Sequence, residues 1–407
     1  MTARVGVMLG DATGIGPEVA VKALAAGPLP GARVVLFADR RVLALGEREA
    51  GTTLPVRPRS RLDGLDETDD AVPLIESANA DPAVLRRGAV NPVSGRIVGE
   101  TLMRMIDEAL AGRLDAVCFA PLNKKAPHDG GFRYHDGHRM FAALTRHQGF
   151  FGEMNVIPAF LTFRVTSHVS LREALEMITP ARITAAVELA DATLTRMLGR
   201  RPRLGVAALN PHAGENGLFG RDEIEIITPT LETLRARGID CEGPVPADVI
   251  FLRARAWAFD GRVAMYHDQG QIATRLPGFK QGVTVTAGLH AVFTTPAHGT
   301  AFDIAGKGVA DPGAMRRALE LAAPPDQAGA PGARPSASRK RRRPPTMCCS
   351  PAMRAASGSP FRIASRMVRC SASLSAMLRW LNSDFRRPRW LSFTSASYIS
   401  FARRLPA

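Results

Sequence analysis

Short apolar runs alternate along this chain with longer stretches whose apolar residues recur at helical spacing. Residues 5–9, 33–38, 116–120, 159–165, 204–209 and 263–266 are runs of Val, Leu, Phe, Ala and Met of the length expected for buried strands. Helices are predicted over 17–25, 99–111, 171–177, 183–197 and 224–237; in the second of these Leu102, Met105, Ile106, Ala109 and Leu110 share one face. Residues 51–70 are polar and bear Pro and Gly, more loop than core. Strands alternating with helices predict an α/β chain with mainly parallel sheets. A body of about 320 residues exceeds a typical single core, so two lobes with a cleft between them are expected.

Charge changes this picture at one end only. The chain has 407 residues and a net charge of +15, which would suggest an anionic partner. From Pro325 onward, however, 16 basic residues face only Asp326 and Asp384, which leaves the preceding 324 residues near +1. The extension 324–407 is rich in Arg, Ser and Pro, and no helical or alternating period survives in it. Its run Arg339-Lys340-Arg341-Arg342-Arg343 could serve nucleic acid. The abrupt change of composition instead predicts a disordered extension, of the kind a shifted reading frame produces in a GC-rich gene. The body offers no basic stripe, so no nucleic-acid partner is expected. Arginines interrupt every apolar patch of the extension before it reaches the ~20 residues of a membrane span.

Outside the extension only Cys118 and Cys241 occur, which gives no disulfide framework and no thiolate cluster. The first residues lack the charged and apolar regions of a signal peptide. A cytoplasmic setting is expected.

The candidate chemistry lies in three histidines in short polar motifs. His168 stands in Thr166-Ser167-His168-Val169, His212 in Asn210-Pro211-His212-Ala213-Gly214-Glu215, and His267 in Tyr266-His267-Asp268-Gln269-Gly270. His212 and His267 follow strand-like runs, where ligands and catalytic groups are often carried. Neutral imidazole is the commonest protein ligand of divalent metals. A histidine in such a short motif, taken alone, more often packs or makes a single hydrogen bond. The glycine-rich stretch Gly10-Asp11-Ala12-Thr13-Gly14-Ile15-Gly16-Pro17-Glu18 could present backbone N–H groups to an anion or be a plain tight turn; it is neither a Rossmann nor a Walker fingerprint.

These motifs, together with Ala120-Pro121-Leu122-Asn123-Lys124, Gly243-Pro244-Val245-Pro246-Ala247-Asp248 and the string His298-Gly299-Thr300-Ala301-Phe302-Asp303-Ile304-Ala305-Gly306-Lys307-Gly308, occur in one order. In that order the chain resembles the 4-hydroxythreonine-4-phosphate dehydrogenase family, part of the isopropylmalate-dehydrogenase-like group, from about Val5 to about Leu321. The resemblance implies a two-lobed fold of interleaved α/β lobes over 1–323, with the active site in the cleft and a homodimer sharing its sites. It implies metal ligands His168, His212 and His267, for Zn, Mg, Co or Mn. It also implies an NAD or NADP site drawing on Gly288, His298, Gly299 and Asp303.

The activity implied is oxidation, with decarboxylation, of 4-hydroxythreonine 4-phosphate to 3-amino-2-oxopropyl phosphate in vitamin B6 biosynthesis. Asp248 and Asp268 are candidates for orienting a ligand or accepting a proton, and each could instead be a cap or a surface carboxylate. The family's substrate contacts fall on His138, Arg139, Arg275, Thr284 and Phe293, and only His138 keeps the family's residue. Arg139 and Arg275 supply charge for an anion, whereas Phe293 is expected to add apolar wall. Such a pocket would also suit a cis-dihydrodiol carboxylate or another four-carbon phosphorylated acid.

Overall fold

The computed structural model describes residues 2–64, 70–134, 137–256, 258–278 and 281–323. By contact the chain divides into Met1–Ser336 and Ala337–Ala407, and all described residues belong to the first unit. The expected basic extension, 324–407, lies outside the described residues.

Among the described residues twelve strands form one sheet: β1 Ala3–Met8, β2 Ala32–Ala38, β3 Val56–Arg59, β4 Val72–Glu76, β5 Ala116–Phe119, β6 Gly152–Ile157, β7 Phe160–Arg164, β8 Leu204–Ala207, β9 Cys241–Val245, β10 Gly261–Ala264, β11 Val283–Ala287 and β12 Val292–Pro296. Their order is β3-β4-β2-β1-β5-β12-β11-β6-β7-β10-β8-β9. Both flanks are parallel, while β12/β11, β11/β6 and β6/β7 are antiparallel. The protein is therefore α/β with a mostly parallel sheet, as the alternation of strands and helices predicts.

The two parallel flanks are not separate sheets, because two antiparallel hairpins join them at the centre. Both strands of one hairpin, Val-Thr-Val-Thr-Ala and Val-Phe-Thr-Thr-Pro, are half polar, so a search for apolar runs passes over them. Strand β3 likewise lies inside the stretch expected to be loop.

Each inner strand serves two cores. Val5, Val7, Leu36 and Ala38 join one cluster while Met8, Val35 and Phe37 join the other, as the period-two alternation of side chains requires. Residues such as Leu36 and Phe37 are fully buried, each worth roughly 1.5–3 kcal/mol of transfer free energy.

Helix ends follow local chemistry. The helix Pro180–Leu198 has Thr179 as its N-cap, Pro at its first position and Gly199 in the left-handed region at φ 64° as its stop. The helix predicted from 99 begins seven residues earlier, at Pro92, where Asn91 Oδ1 accepts from the Val93 amide at 2.8 Å. Among the described residues, no helix is long and apolar enough to cross a membrane.

Candidate functional site

Strands β7, β10 and β8 are parallel neighbours, with Val263 opposite both Phe163 and Val206. Their carboxyl ends therefore emerge side by side, and each leads into one of the three histidine motifs. The β7–β10 pairing continues past the strands, because the Val165 amide donates to the Ala264 carbonyl at 2.9 Å and the Thr166 hydroxyl to the Met265 carbonyl at 3.0 Å. That continuation brings the His168 and His267 rings to 5.4 Å between centroids. Gln269, unassigned by the motif, fastens the neighbouring strand ends: its Oε1 accepts from the Met265 amide at 2.7 Å and its Nε2 donates to the Ala208 carbonyl at 2.8 Å.

Around this pair the backbone is locally costly. His168 has φ 52°, a left-handed conformation uncommon for a side-chain-bearing residue. The chain turns back into regular structure at once, through a capping box in which the Ser170 hydroxyl accepts from the Glu173 amide and the Glu173 carboxylate accepts from the Ser170 amide at 2.9 Å. His267 opens the helix His267–Gly278, and its Nδ1 lies 2.6 Å from the Asp268 carboxylate. That contact fixes the ring and leaves Nε2 for a ligand. Of the two expected acids, Asp268 is thus beside a candidate ligand. Asp248 is exposed in the first turn of the helix Ala247–Arg255, where it complements the helix dipole and touches none of the histidines among the described residues.

His138 extends the row of imidazoles. Its ring stacks on His168 at 6.2 Å, its Nδ1 lies 2.6 Å from the Thr286 hydroxyl, and its Nε2 is 3.7 Å from Glu153. Glu153 is mostly covered, its side chain 10% exposed, and also pairs with Arg164 at 2.5 Å. Burial pushes the Glu153 carboxyl upward, but Arg164, His138 and His168 outweigh it and hold the group down at about 2. The chain offers this acid only as one Glu in Phe151-Gly152-Glu153-Met154, and no sequence signal marks it.

Beside the row is a cleft of about 270 Å³ lined by His138, Arg139, Glu153, Arg164, His168 and Arg182, among others. Arg182, also without a sequence signal, stands near the start of the helix Pro180–Leu198.

His212 takes a different path. Residues His212 to Asn216 all have φ between 41° and 77°, a left-handed run held by Glu223. The Glu223 carboxylate accepts from the Leu209 and Asn210 amides at 2.8 and 2.7 Å and from the Asn210 side chain at 2.9 Å. Among the described residues the one ring near His212 is Phe219, at 6.0 Å, and no three metal-ligating side chains cluster in the single chain.

The remaining expected residues are scattered. Arg275 is exposed two turns along the helix that His267 opens, and the Thr284 hydroxyl accepts from Asn155 Nδ2 at 3.3 Å. Phe293 corrects an expectation: it is buried and stacked on Phe141 at 4.5 Å, so it belongs to the core and not to the wall of the cleft.

His298, Gly299 and Asp303 share a partly exposed loop that packs on the 10–18 turn, where the Ile15 amide donates to the Thr300 carbonyl at 3.0 Å. That turn is internally ordered, with buried Asp11 accepting from the Thr13 amide at 2.9 Å and from the Ser94 hydroxyl at 2.6 Å. Gly288 lies elsewhere, lining a cavity of about 660 Å³ with Met154, Met197 and Ala323. Its φ of 92°, and a Phe150 carbonyl 2.8 Å from where a Cβ would stand, explain the glycine there.

Comparison with known proteins agrees with the motif order. The profile of the family described as Pyridoxal phosphate biosynthetic protein PdxA matches residues 31–322. A Pseudomonas aeruginosa protein provisionally named 4-hydroxythreonine-4-phosphate dehydrogenase 2 is 45% identical, over 78% of this chain and 96% of that protein. The D-threonate 4-phosphate dehydrogenase of Pectobacterium atrosepticum is 38% identical, over 79% of this chain and 99% of its own length. The crystal structure of a 4-hydroxythreonine-4-phosphate dehydrogenase from Burkholderia phymatum superposes with a TM-score of 0.69 at 37% identity, covering 80% of this chain and all of that one.

Proposed function

Because this chain belongs to the family of Pyridoxal phosphate biosynthetic protein PdxA, we propose that it is a metal- and nicotinamide-dependent dehydrogenase of a four-carbon phosphorylated hydroxy acid, working as a cytoplasmic homodimer. The observation that carries this is the meeting of His168 and His267 at adjacent strand ends beside an arginine-lined cleft. The donor set suits a divalent ion, since Asp268 holds Nδ1 of His267 and so directs Nε2 outward. His212 of a second copy would complete the set, because in one chain it stands apart from the pair. A divalent metal held there would lower the pKa of the substrate hydroxyl, and bound NAD or NADP would accept the hydride. His138 sits where it can hydrogen-bond the substrate, and Arg139 supplies charge for its anionic group.

Two substrates of this class differ in one group. 4-Hydroxythreonine 4-phosphate carries an ammonium, and its oxidation and decarboxylation gives 3-amino-2-oxopropyl phosphate; D-threonate 4-phosphate carries a hydroxyl in place of the amine. Glu153 favours the second. It is the one carboxylate among the described residues lining the cleft, and it is already engaged by Arg164 and flanked by His138. Among the described residues lining the cleft, no acid is then left to receive an ammonium. A ring-bearing dihydrodiol would meet Phe150 and Phe151, and not Phe293, as the apolar wall of the cleft.

The test is NAD reduction by the full chain with divalent metal and each phosphorylated acid, beside His212→Ala. Turnover should be faster with D-threonate 4-phosphate. In the variant it should fall by more than the roughly 10–100-fold that loss of an outer partner costs. A folded, metal-loaded protein that reduces NAD with neither acid would overturn the proposal.

A further inference from the structure

Arg182, like Glu153 and Arg164, is a charged group of the cleft that the motif order does not account for. It stands at the third position of the helix Pro180–Leu198, where the Thr179 hydroxyl accepts from its amide at 3.3 Å. Its Nε donates to the Val165 carbonyl at 2.9 Å, and its guanidinium lies 5.5 Å over the Phe150 ring. One edge of the fork is thus anchored to the end of β7, three residues before His168. The two terminal nitrogens have no carboxylate partner among the described residues, and Arg182 lines the cleft.

The contrast with Arg164 is informative. Arg164 is more deeply buried, and its charge is met by Glu153 at 2.5 Å and by the Gln271 side-chain oxygen at 3.1 Å. Arg182 is half-buried, with no acid among the described residues to meet its charge. Burial and the neighbouring positive charge of Arg139 both pull its pKa below the ordinary value. A protein rarely leaves a pinned, partly desolvated guanidinium beside a second one unless an anion takes up the charge. The stack on Phe150 and the bond to Val165 hold the fork in one orientation, which cuts the entropy lost when it binds an oxyanion.

We propose that Arg182, together with Arg139, clamps the phosphate of the substrate, so that Arg182 determines specificity for phosphorylated over unphosphorylated acids. The proposal rests on the dehydrogenase reading for the identity of the substrate, but the clamp itself is a binding property that can be measured without turnover. A carboxylate could in principle occupy the same place. Arg139 lines the same cleft and acts electrostatically on Arg182; two positive groups there favour a dianion, and phosphate at neutral pH carries the larger charge.

The decisive experiment titrates inorganic phosphate, and separately acetate, into the full-length protein without metal or nicotinamide, following protein-bound phosphate by phosphorus NMR and acetate by calorimetry. It compares Arg182→Met and Arg182→Gln with the wild type, and with Arg48→Gln, an exposed arginine outside the cleft. Phosphate should bind the wild type saturably and more tightly than acetate. Its affinity should fall at least about tenfold in both Arg182 variants and stay unchanged in Arg48→Gln. For D-threonate 4-phosphate the same variants should raise KM with little change in kcat, while unphosphorylated D-threonate is affected far less.

Either folded Arg182 variant binding phosphate as the wild type does would overturn the clamp. Tighter binding of acetate than phosphate would overturn its assignment to phosphate. Failure of every acid to turn over, with phosphate binding still lost in the variants, would sink the dehydrogenase reading and leave the clamp in place.

Discussion

At the scale of single residues, Glu153 ties an arginine and a histidine of the cleft together. Its carboxylate faces Arg164 at 2.5 Å and His138 at 3.7 Å, and it is held at about 2 against an ordinary value of 4.5. A depressed carboxyl stabilises the fold fully above its unfolded value and loses that contribution as pH falls. Stability should therefore drop as pH goes from about 4.5 towards 2, by an amount on the order of a few kcal/mol. Glu153→Gln should flatten that slope and, by leaving Arg164 buried without its counter-charge, cost roughly 3–5 kcal/mol at neutral pH. Urea denaturation of both proteins at pH values from neutral to 3 checks this, and a variant as stable as wild type at pH 7 would refute the role. None of this was legible in the sequence. His168 and His267 stand in recognisable strings, whereas Glu153 and Arg182 are ordinary charged residues until the folding of β6 and the helix Pro180–Leu198 brings them together.

At the scale of elements, the sequence located strands and helices best where apolar runs were continuous. The helix Leu171–Met177 agrees with its predicted bounds, and β2, β5 and β8 with theirs to within two residues. What escaped was structure stabilised by polar groups. The alternating Val-Thr-Val-Thr of β11 carries a period of two, but its threonines point to positions that the apolar count ignored. The turn bearing His212 is the clearer case. A left-handed backbone costs roughly 1–2 kcal/mol per side-chain-bearing residue, and four such residues, His212, Ala213, Glu215 and Asn216, adopt it in succession. Glu223, opening a π-helical turn at the front of the helix predicted from 224, offsets that cost by gathering the Leu209 and Asn210 amides. In Glu223→Ala those two amides should exchange with deuterium at least about tenfold faster, since a locally supported opening would lose its support. Amides within Pro180–Leu198 should keep their protection. Uniform acceleration across both segments would show that Glu223 supports the fold at large and not the turn.

At the scale of the whole molecule, six of the fifteen large apolar residues exposed among the described residues stand in pairs after the histidines. Leu171 and Leu175 follow His168, Leu218 and Phe219 follow His212, and Ile272 and Leu276 follow His267. Single exposed apolar residues are ordinary, whereas paired ones, four residues apart on a helix or adjacent in a loop, offer a partner more apolar area together. Leu218 and Leu276 are 73% and 83% exposed, which leaves substantial apolar area for a second copy to cover at about 25 cal/mol per Å². The same contact would supply the third imidazole, since His212 lies apart from the His168–His267 pair within one chain. Association and metal binding should therefore be linked: an ion that needs ligands from two copies binds only the dimer and strengthens it by mass action. Sedimentation of the full chain at micromolar concentration should show a dimer. Leu218→Glu combined with Leu276→Glu should yield a folded monomer whose affinity for a divalent metal has fallen together with its self-association. A wild-type monomer that binds one ion per chain, or a monomeric variant with unchanged metal affinity, would break the link between this surface and the histidines.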